Sequence, residues 1–377
     1  MKVFMPHISW EGGFGRYFTE AFKLNDIKYF TNKGSFHRNP LIRLLGLRDI
    51  GKVRKAEMKY YVKKYGESVF KQCKSVKPDV VLINNESSIS PEYVKRIKDE
   101  CKSLMVLTLG DDPWDSVRWK CNFPHSLKHF DIIFSADPAW NNNIRKVAPQ
   151  ARIFWHFGGY DPDRFFPTDK SMITEEESSK LGCDLAFTGS SYAEKAEGAY
   201  RADLLSYLTM YDLKIWGGDN WEYRFQFNPV LRRCFQGPRL SFEQLRILYG
   251  TTKIFLNLPA PQVTFGFQPR VFEIAGCRGF QIADNRLLLR HLFSEDELIV
   301  FDTIGELKDK VDYYLRHKAE RRQIAERLHD RVKSQYTWNH WAKRIITTIK
   351  TGSGIEDLDL LLMREDQDEL REYLRNA

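Results

Sequence analysis

The sequence predicts an α/β protein made of two doubly wound parallel sheets, one in each half of the chain. Short apolar runs such as Val80-Val81-Leu82-Ile83 alternate with stretches of helical spacing, the pattern of strands covered by helices on both faces. The alternation breaks at residues 157–167, rich in Gly, Pro and Asp, stays polar over 169–182, and then starts again. At 377 residues the chain exceeds one ordinary core. Its 42% hydrophobic and 29% charged content excludes disorder as the general state.

The elements follow in order. Residues 2–5 read as a strand, and the loop Ser9-Trp10-Glu11-Gly12-Gly13-Phe14-Gly15-Arg16 leads from it into a helix ending near Phe22. Residues 78–84 (PDVVLIN) form a buried-type strand, 91–102 a helix, and 104–109 a second apolar strand that runs into Gly110-Asp111-Asp112-Pro113. Strands at 131–134 and 151–155 flank a helix at 138–147. In the second half, strands are expected at 183–188, 213–216, 253–257, 281–283 and 298–301, with helices around Arg201, over 241–249 and from Arg270. Residues 304–349 read as almost wholly helical. Sheets of this kind bind ligands at the carboxyl ends of their strands.

The net charge of +8 is unevenly placed. Residues 33–77 hold thirteen Lys and Arg against Asp49, Glu57 and Glu67, a net of +10, whereas 355–377 hold eight acids and three arginines, a net of −5. The basic block carries apolar residues at helical period (Leu41, Leu44, Leu45, Met58, Tyr61, Val62, Tyr65). It is either the solvated face of one or two amphipathic helices or a footprint for an anionic partner: a phosphate-bearing acceptor, an acidic lipid surface or nucleic acid. No nucleic-acid motif accompanies it.

No apolar run approaches the ~20 residues that span a bilayer. Residues 1–7 lack the apolar stretch and cleavage pattern of a signal peptide. The six cysteines are scattered, with neither a CxxC pair nor zinc-ligand spacing. A reducing, cytoplasmic setting is expected, with peripheral attachment at the inner face of the membrane as an option.

Five segments then carry a resemblance through their order. They are GYDPDRFFP (159–167), FTGSSY (187–192) followed by Arg201, LSFEQLRILYGTTKIFLNL (240–258), RVFEIAGCRGFQIADN (270–285), and YYLRHKAERRQIAERLHDRV (313–332) with the YTW after it. Together they resemble the GT-B glycosyltransferases, and within them the CgeB-like (spore maturation protein) group. The resemblance is strong over about 155–345 and weaker before it, where LGDDPWD and FDIIFSADP fit but FTNKGSFHRN does not.

The resemblance implies two Rossmann-like doubly wound domains facing across a cleft. Residues 1–165 would be an N-terminal acceptor domain and 166–337 a C-terminal donor domain. Residues 338–350 would form a crossover helix back to the first domain, and 351–377 an acidic amphipathic tail. The tail would dock on the basic block, cap the first domain or pair with another subunit as a homo-oligomer. The implied reaction transfers a sugar from a nucleotide-diphosphate sugar, UDP-linked ahead of GDP-linked, to an acceptor hydroxyl on a surface glycan, lipid-linked molecule or protein. It would proceed without metal or permanent cofactor and with retention. A sugar-nucleotide epimerase, a non-catalytic binding or scaffold protein, and glycosylation of modified nucleic acid are the alternatives.

A diphosphate needs fixed positive charge. Arg270 at a helix start and Arg201 after a Gly/Ser turn opened by Gly189 supply it, unless Arg270 pairs with Asp284 and Arg201 is merely solvated. Ribose hydroxyls suit a carboxylate, and Glu273 sits one turn into an otherwise apolar helix, where an unpaired carboxylate is costly; the alternative is a helix-capping acid. Gly217 and Gly218 allow close backbone approach near the nucleotide base, or make a tight turn. Gly13 and Gly15 lie where related enzymes set a loop against donor phosphate, or form a plain turn.

Asp111 and Asp112 would deprotonate or orient the acceptor, and His156 is the histidine placed at a strand end for catalysis. The large retaining family that the sequence distantly resembles has a second Glu eight positions before the ribose one. Phe265 stands there instead, with Gln262 and Gln268 nearby.

Overall fold

The computed structural model describes residues 1–6, 14–31, 51–84, 89–114, 123–169, 171, 173–192, 198–218 and 220–352, excluding the side chains of 14–16, 51–58 and 123. The chain divides into two compact units. One comprises Met1–His156 with the residues from Ala342 onward, and the other Phe157–Trp341.

The first unit holds strands β1 (Lys2–Met5), β2 (Lys28–Thr31), β3 (Val80–Asn84), β4 (Leu104–Leu109), β5 (Ile132–Ser135) and β6 (Arg152–Trp155), with helices α1 (Phe14–Leu24), α2 (Gly51–Val76), α3 (Pro91–Cys101) and α4 (Asn141–Val147). Every strand pairing is parallel, in the order β2-β1-β3-β4-β5-β6. All five residues of β3 are buried, as a strand covered on both faces requires. The sequence did not announce β2, an edge strand of four residues, none fully buried.

Helix α2 buries Val62, Tyr65, Val69, Phe70 and Cys73 at intervals of three and four residues, which leaves Lys59, Lys63, Lys64, Lys71 and Lys74 exposed. The later part of the basic block is therefore the solvent face of one helix. Its residues 33–50, and the acidic tail from 353, lie outside the described residues.

The second unit holds β7 (Leu185–Thr188), β8 (Leu213–Trp216), β9 (Phe235–Gly237), β10 (Ile254–Asn257), β11 (Gln281–Asp284) and β12 (Ile299–Phe301). Its helices are α5 (Glu175–Leu181), α6 (Gly198–Ser206), α7 (Trp221–Arg224), α8 (Phe242–Thr251), α9 (Arg270–Gly276), α10 (Leu287–Leu292), α11 (Ile304–Arg316) and α12 (Lys318–Gln335); α13 (Trp338–Thr351) begins in this unit and passes into the first. The sheet order is β12-β11-β10-β7-β8-β9, all parallel. The chain leaves β7 toward β8 and β9, then returns to build the other side from β10. The junction of β7 and β10 is thus the topological switch point, where doubly wound sheets take their ligands.

Two stretches differ from the sequence expectation. The polar segment 169–182 contains a helix, because Thr174 and Glu177 form a reciprocal capping box and three glutamates occupy the positive first turn. The long helical run is three helices, broken at His317 and at Tyr336-Thr337.

The GYDPDRFFP segment folds onto the second break. Tyr160 N–H donates to the Tyr336 carbonyl at 3.0 Å, and Trp338 N–H donates to the Tyr160 carbonyl at 3.0 Å. The Tyr160 ring is buried against Gly276 at the end of α9, where any side chain would collide with it. Phe272 of α9 stacks on Tyr336 at 5.2 Å and meets Phe157 and Phe293 edge-on or tilted. These contacts hold α9 through its apolar side chains and its final glycine.

Candidate functional site

The predicted residues fall into both units. In the first, Gly13 lies outside the described residues, and Gly15 falls in the first turn of α1. Asp111 and Asp112 follow β4 directly and are half-buried; Asp112 Oδ1 accepts the Trp114 N–H at 2.9 Å. His156, 3% exposed, follows β6. Its Nε2 lies 2.9 Å from the Leu109 carbonyl, so Nε2 carries the proton and ties the end of β6 to the end of β4. Burial pulls its pKa down to about 4, against that one hydrogen bond. The loops after β1 and β3, at this sheet's own switch point, are residues 7–13 and 85–88, outside the described residues.

In the second unit the described residues converge on the switch point. Arg201, on α6, is 3% exposed. Its Nη1 donates to the Ser190 carbonyl at 2.6 Å, and its Nη2 donates to the Leu258 carbonyl at 2.8 Å and also to the Pro259 carbonyl. Ser190 follows β7 and Leu258 follows β10, so one guanidinium joins the two loops that flank the switch point. Its Cζ lies 5.1 Å from the ring centroids of both Phe187 and Tyr192. Desolvation pulls its pKa down to about 10, which leaves it charged at neutral pH.

The loop after β7 is clamped from several sides. Trp221 Nε1 donates to the Gly189 carbonyl at 2.9 Å, Ser191 Oγ donates to the Asn220 carbonyl at 2.7 Å, and Arg224 Nη2 donates to the Tyr192 carbonyl at 2.9 Å. Tyr192 is held at φ +48°, a left-handed backbone that is rare for a bulky residue and persists only where its surroundings impose it. The two neighbouring glycines differ. A Cβ on Gly217 would lie 2.3 Å from the Gly189 carbonyl oxygen and 2.3 Å from Trp221 Nε1, whereas one on Gly218 would meet nothing closer than 3.8 Å.

Arg270 and Glu273 stand in the first turn of α9. A buried polar chain sets that turn: Asn257 Nδ2 donates to Gln281 Oε1 at 2.9 Å, and Gln281 Nε2 donates to the Val271 carbonyl at 2.9 Å. The pairing of Arg270 with Asp284 does not occur, since Asp284 bonds Arg286 at 2.8 Å and the Tyr200 hydroxyl. Neither Arg270 nor Glu273 makes a side-chain hydrogen bond or ion pair among the described residues.

Loss of solvent raises the Glu273 carboxyl above its ordinary range, with Arg270 opposing. Buried Tyr249 is a charge neighbour of both, and its hydroxyl is hydrogen-bonded to Thr188 at the end of β7. The result is a guanidinium and a carboxylate, both half-buried and without a hydrogen-bond or ion-pair partner among the described residues, beside a stapled pair of loops. Among the described residues no three His, Cys, Asp or Glu side chains gather as a metal site.

The sequence reading missed Tyr249, Asn257, Gln281, Asn220 and Arg224 as builders of this region. Asn257 and Gln281 were legible as polar residues at the ends of largely apolar strands, and Tyr249 stood in a quoted segment; Asn220 and Arg224 carried no local signal.

Residues 201–347 match the family model described as Glycosyl transferase-like. A stretch of 179 residues, 46% of the chain, is 23% identical to the Uncharacterized protein MJ1062 of Methanocaldococcus jannaschii and spans about a third (34%) of that protein's length. Sucrose-phosphate synthase from Thermosynechococcus elongatus aligns over 93% of this chain and 98% of its own at a TM-score of 0.65 and 12% identity. The N-terminal domain of Candida albicans trehalose-6-phosphate phosphatase covers 93% and 97% at 0.66 and 12%. Anabaena Alr3699/HepE in complex with UDP-glucose covers 93% and 100% at 0.59 and 12%. The fold is that of the GT-B glycosyltransferase structures.

Two measurements check the geometry. His156 is neutral when folded down to about pH 4 and titrates near 6.5 when unfolded. The unfolded chain therefore binds the extra proton between these values; stability is full above pH 6.5 and falls by up to about 3 kcal/mol toward pH 4. Denaturant melts from pH 7 to pH 5 should show this slope and His156→Gln should flatten it; an unchanged slope in the variant contradicts the assignment. Gly217→Ala should cost about 1–3 kcal/mol from overpacking, while Gly218→Ala should stay within about 0.5 kcal/mol; equal effects on Tm would refute the packing difference.

Proposed function

We propose that the protein is a nucleotide-sugar glycosyltransferase whose donor, a UDP-sugar, is held by Arg270 and Glu273. The observation that carries this reading is their pairing on one helical turn at the carboxyl edge of the second sheet, both without partners in the described chain. A guanidinium that makes no ion pair within the protein takes a diphosphate as a two-pronged fork and neutralises the leaving group's charge. A desolvated carboxylate accepts hydrogen bonds from two adjacent ribose hydroxyls, which restores what burial took away. Free N–H groups at Ser190 and Gly218, which make no hydrogen bond among the described residues, add donors at the neighbouring strand ends.

In this reading Arg201 acts through the loops that it joins. Its Nη1 and Nη2 donate to carbonyls, so its role is to set the shape into which the diphosphate fits. Gly218 offers open backbone and Gly217 shapes the turn. Asp111 and Asp112, following β4, deprotonate or orient the acceptor, and His156 ties the ends of β4 and β6 beside them. The solved complexes of Alr3699/HepE with UDP and with UDP-glucose favour the uridine donor. The ordered segments from GYDPDRFFP to YTW favour the CgeB-like group. Membership of that group, a cell-surface, lipid-linked or protein acceptor, retention, and cytoplasmic placement belong to the same proposal. No helix among the described residues is long and apolar enough to cross a membrane.

Thermal-shift titration with UDP, GDP, CMP and dTDP tests the donor site. UDP should raise the Tm of the wild type, Glu273→Ala and Arg270→Ala should each lose about tenfold or more in affinity, and Asp111→Asn should keep the shift while losing transfer. Because Glu273 titrates above its ordinary range, UDP affinity should weaken as pH falls into that range, and Glu273→Gln should remove the dependence. Absence of any nucleotide shift in the wild type would overturn the reading.

A further inference from the structure

The amino edge of the second sheet carries a separate feature. A cavity of about 500 Å³ lies against the residues preceding β10 and β11, with one face of α12 as its other wall. Five cations line it: Lys253 before β10, Arg278 before β11, and Lys318, Arg321 and Arg322 from the first turns of α12. The spacing 318, 321, 322, 325, 326 puts the α12 members on a single helix face. This edge lies at the opposite strand ends from Arg270 and Glu273.

Only part of this charge is matched within the protein. Lys253 pairs with Asp184 at 2.6 Å, and Arg278 with Glu326 at 3.1 Å. Arg321, 8% exposed, donates to the Tyr314 carbonyl. Lys318 and Arg322 are exposed and have no hydrogen-bond or ion-pair partner among the described residues. Two carboxylates therefore face five cations, which leaves three positive charges around one cavity. His317, at the N-cap of α12, supplies no side-chain cap, so the positive end of an 18-residue helix adds to the same field.

From this arrangement we infer a second ligand site, for a small phosphorylated molecule bound by Lys318, Arg322 and Arg321 at the amino edge. The cavity falls within the size range of small-molecule pockets. Its aromatic members, Tyr249 and Phe280, are 1% and 5% exposed and present no stacking surface. The chemistry therefore suits a phosphate on a short polyhydroxy skeleton, not a nucleobase. The site is independent of the donor reading, since it shares neither Arg270 nor Glu273. It lies at the far end of the same helix: α9 begins with Arg270 and Glu273 and ends at Cys277, which lines the cavity. That gives it the position of an effector site, and α12 also holds α9, through His329 Nδ1 and the Ala275 carbonyl, 3.0 Å apart.

Calorimetric titration of the full chain with inorganic phosphate and with glycerol 3-phosphate tests the site, with glycerol as the uncharged control. Both anions should bind the wild type and Arg270→Ala alike, and should bind the double variant Lys318→Ala/Arg322→Ala at least about tenfold more weakly. Both substituted side chains are exposed, so the fold should persist, and UDP affinity in the double variant reports whether the donor site is intact. A wild type that binds neither anion, or a double variant that binds them as the wild type does, overturns the inference. Binding only to vesicles containing phosphatidic acid, with none to the soluble anions, also overturns it and makes the patch a membrane contact.

Discussion

A buried positive charge organises the second unit. Arg201 is almost fully removed from water, and a charge so placed is costly unless hydrogen bonds compensate it, which here its two terminal nitrogens make. The available matches are carbonyls of two loops that are far apart in sequence, after β7 and after β10. Satisfying one side chain therefore fixes the relative positions of both loops. A neutral residue of equal size would leave the carbonyls unpaired and the loops free to separate. The electrostatic requirement of one residue becomes the shape of the switch point.

Helix α9 inherits that order from a different kind of contact. Its first turn is held by a hydrogen bond from Gln281 to the Val271 carbonyl, and its apolar side chains by the aromatic group of Phe157, Phe272, Phe293 and Tyr336. None of these contacts uses the charged groups of Arg270 or Glu273. The helix is immobilised by its backbone and its apolar side chains, which leaves its two charged groups for a ligand. Pre-organisation of this kind lowers the ordering cost of binding.

How far the sequence discloses this varies with the kind of signal. The parallel strands were legible because burial on both faces writes them as continuous apolar runs, and β3 and β10 follow that rule closely. The edge strands β2 and β9 were not, because a strand paired on one side and half-exposed carries no such run. Helix α5 was hidden in polar composition, although its Thr174–Glu177 box was readable. Among site residues, Glu273 stood out as a lone carboxylate in an apolar turn. The free state of Arg270 depended on Asp284 choosing Arg286, a contact between neighbours in sequence that spacing alone did not rank. The role of Arg201 was out of reach, since it depends on carbonyls 11, 57 and 58 residues away.

The two units also differ in continuity. The second is one uninterrupted stretch, whereas the first takes its last members from beyond Trp341, including buried Ala342, Ile345 and Ile346. On a ribosome the order of emergence is the order of the sequence. The second unit has all its strands once Phe301 is out and its last helix soon after, so it can close while the first still lacks the apolar residues of α13. The unit made first is completed last. During synthesis its apolar surface at the α13 seat stays uncovered for the whole time taken to make 157–341, which makes that seat the place where a nascent chain of this protein is most open to chaperones and to misassociation.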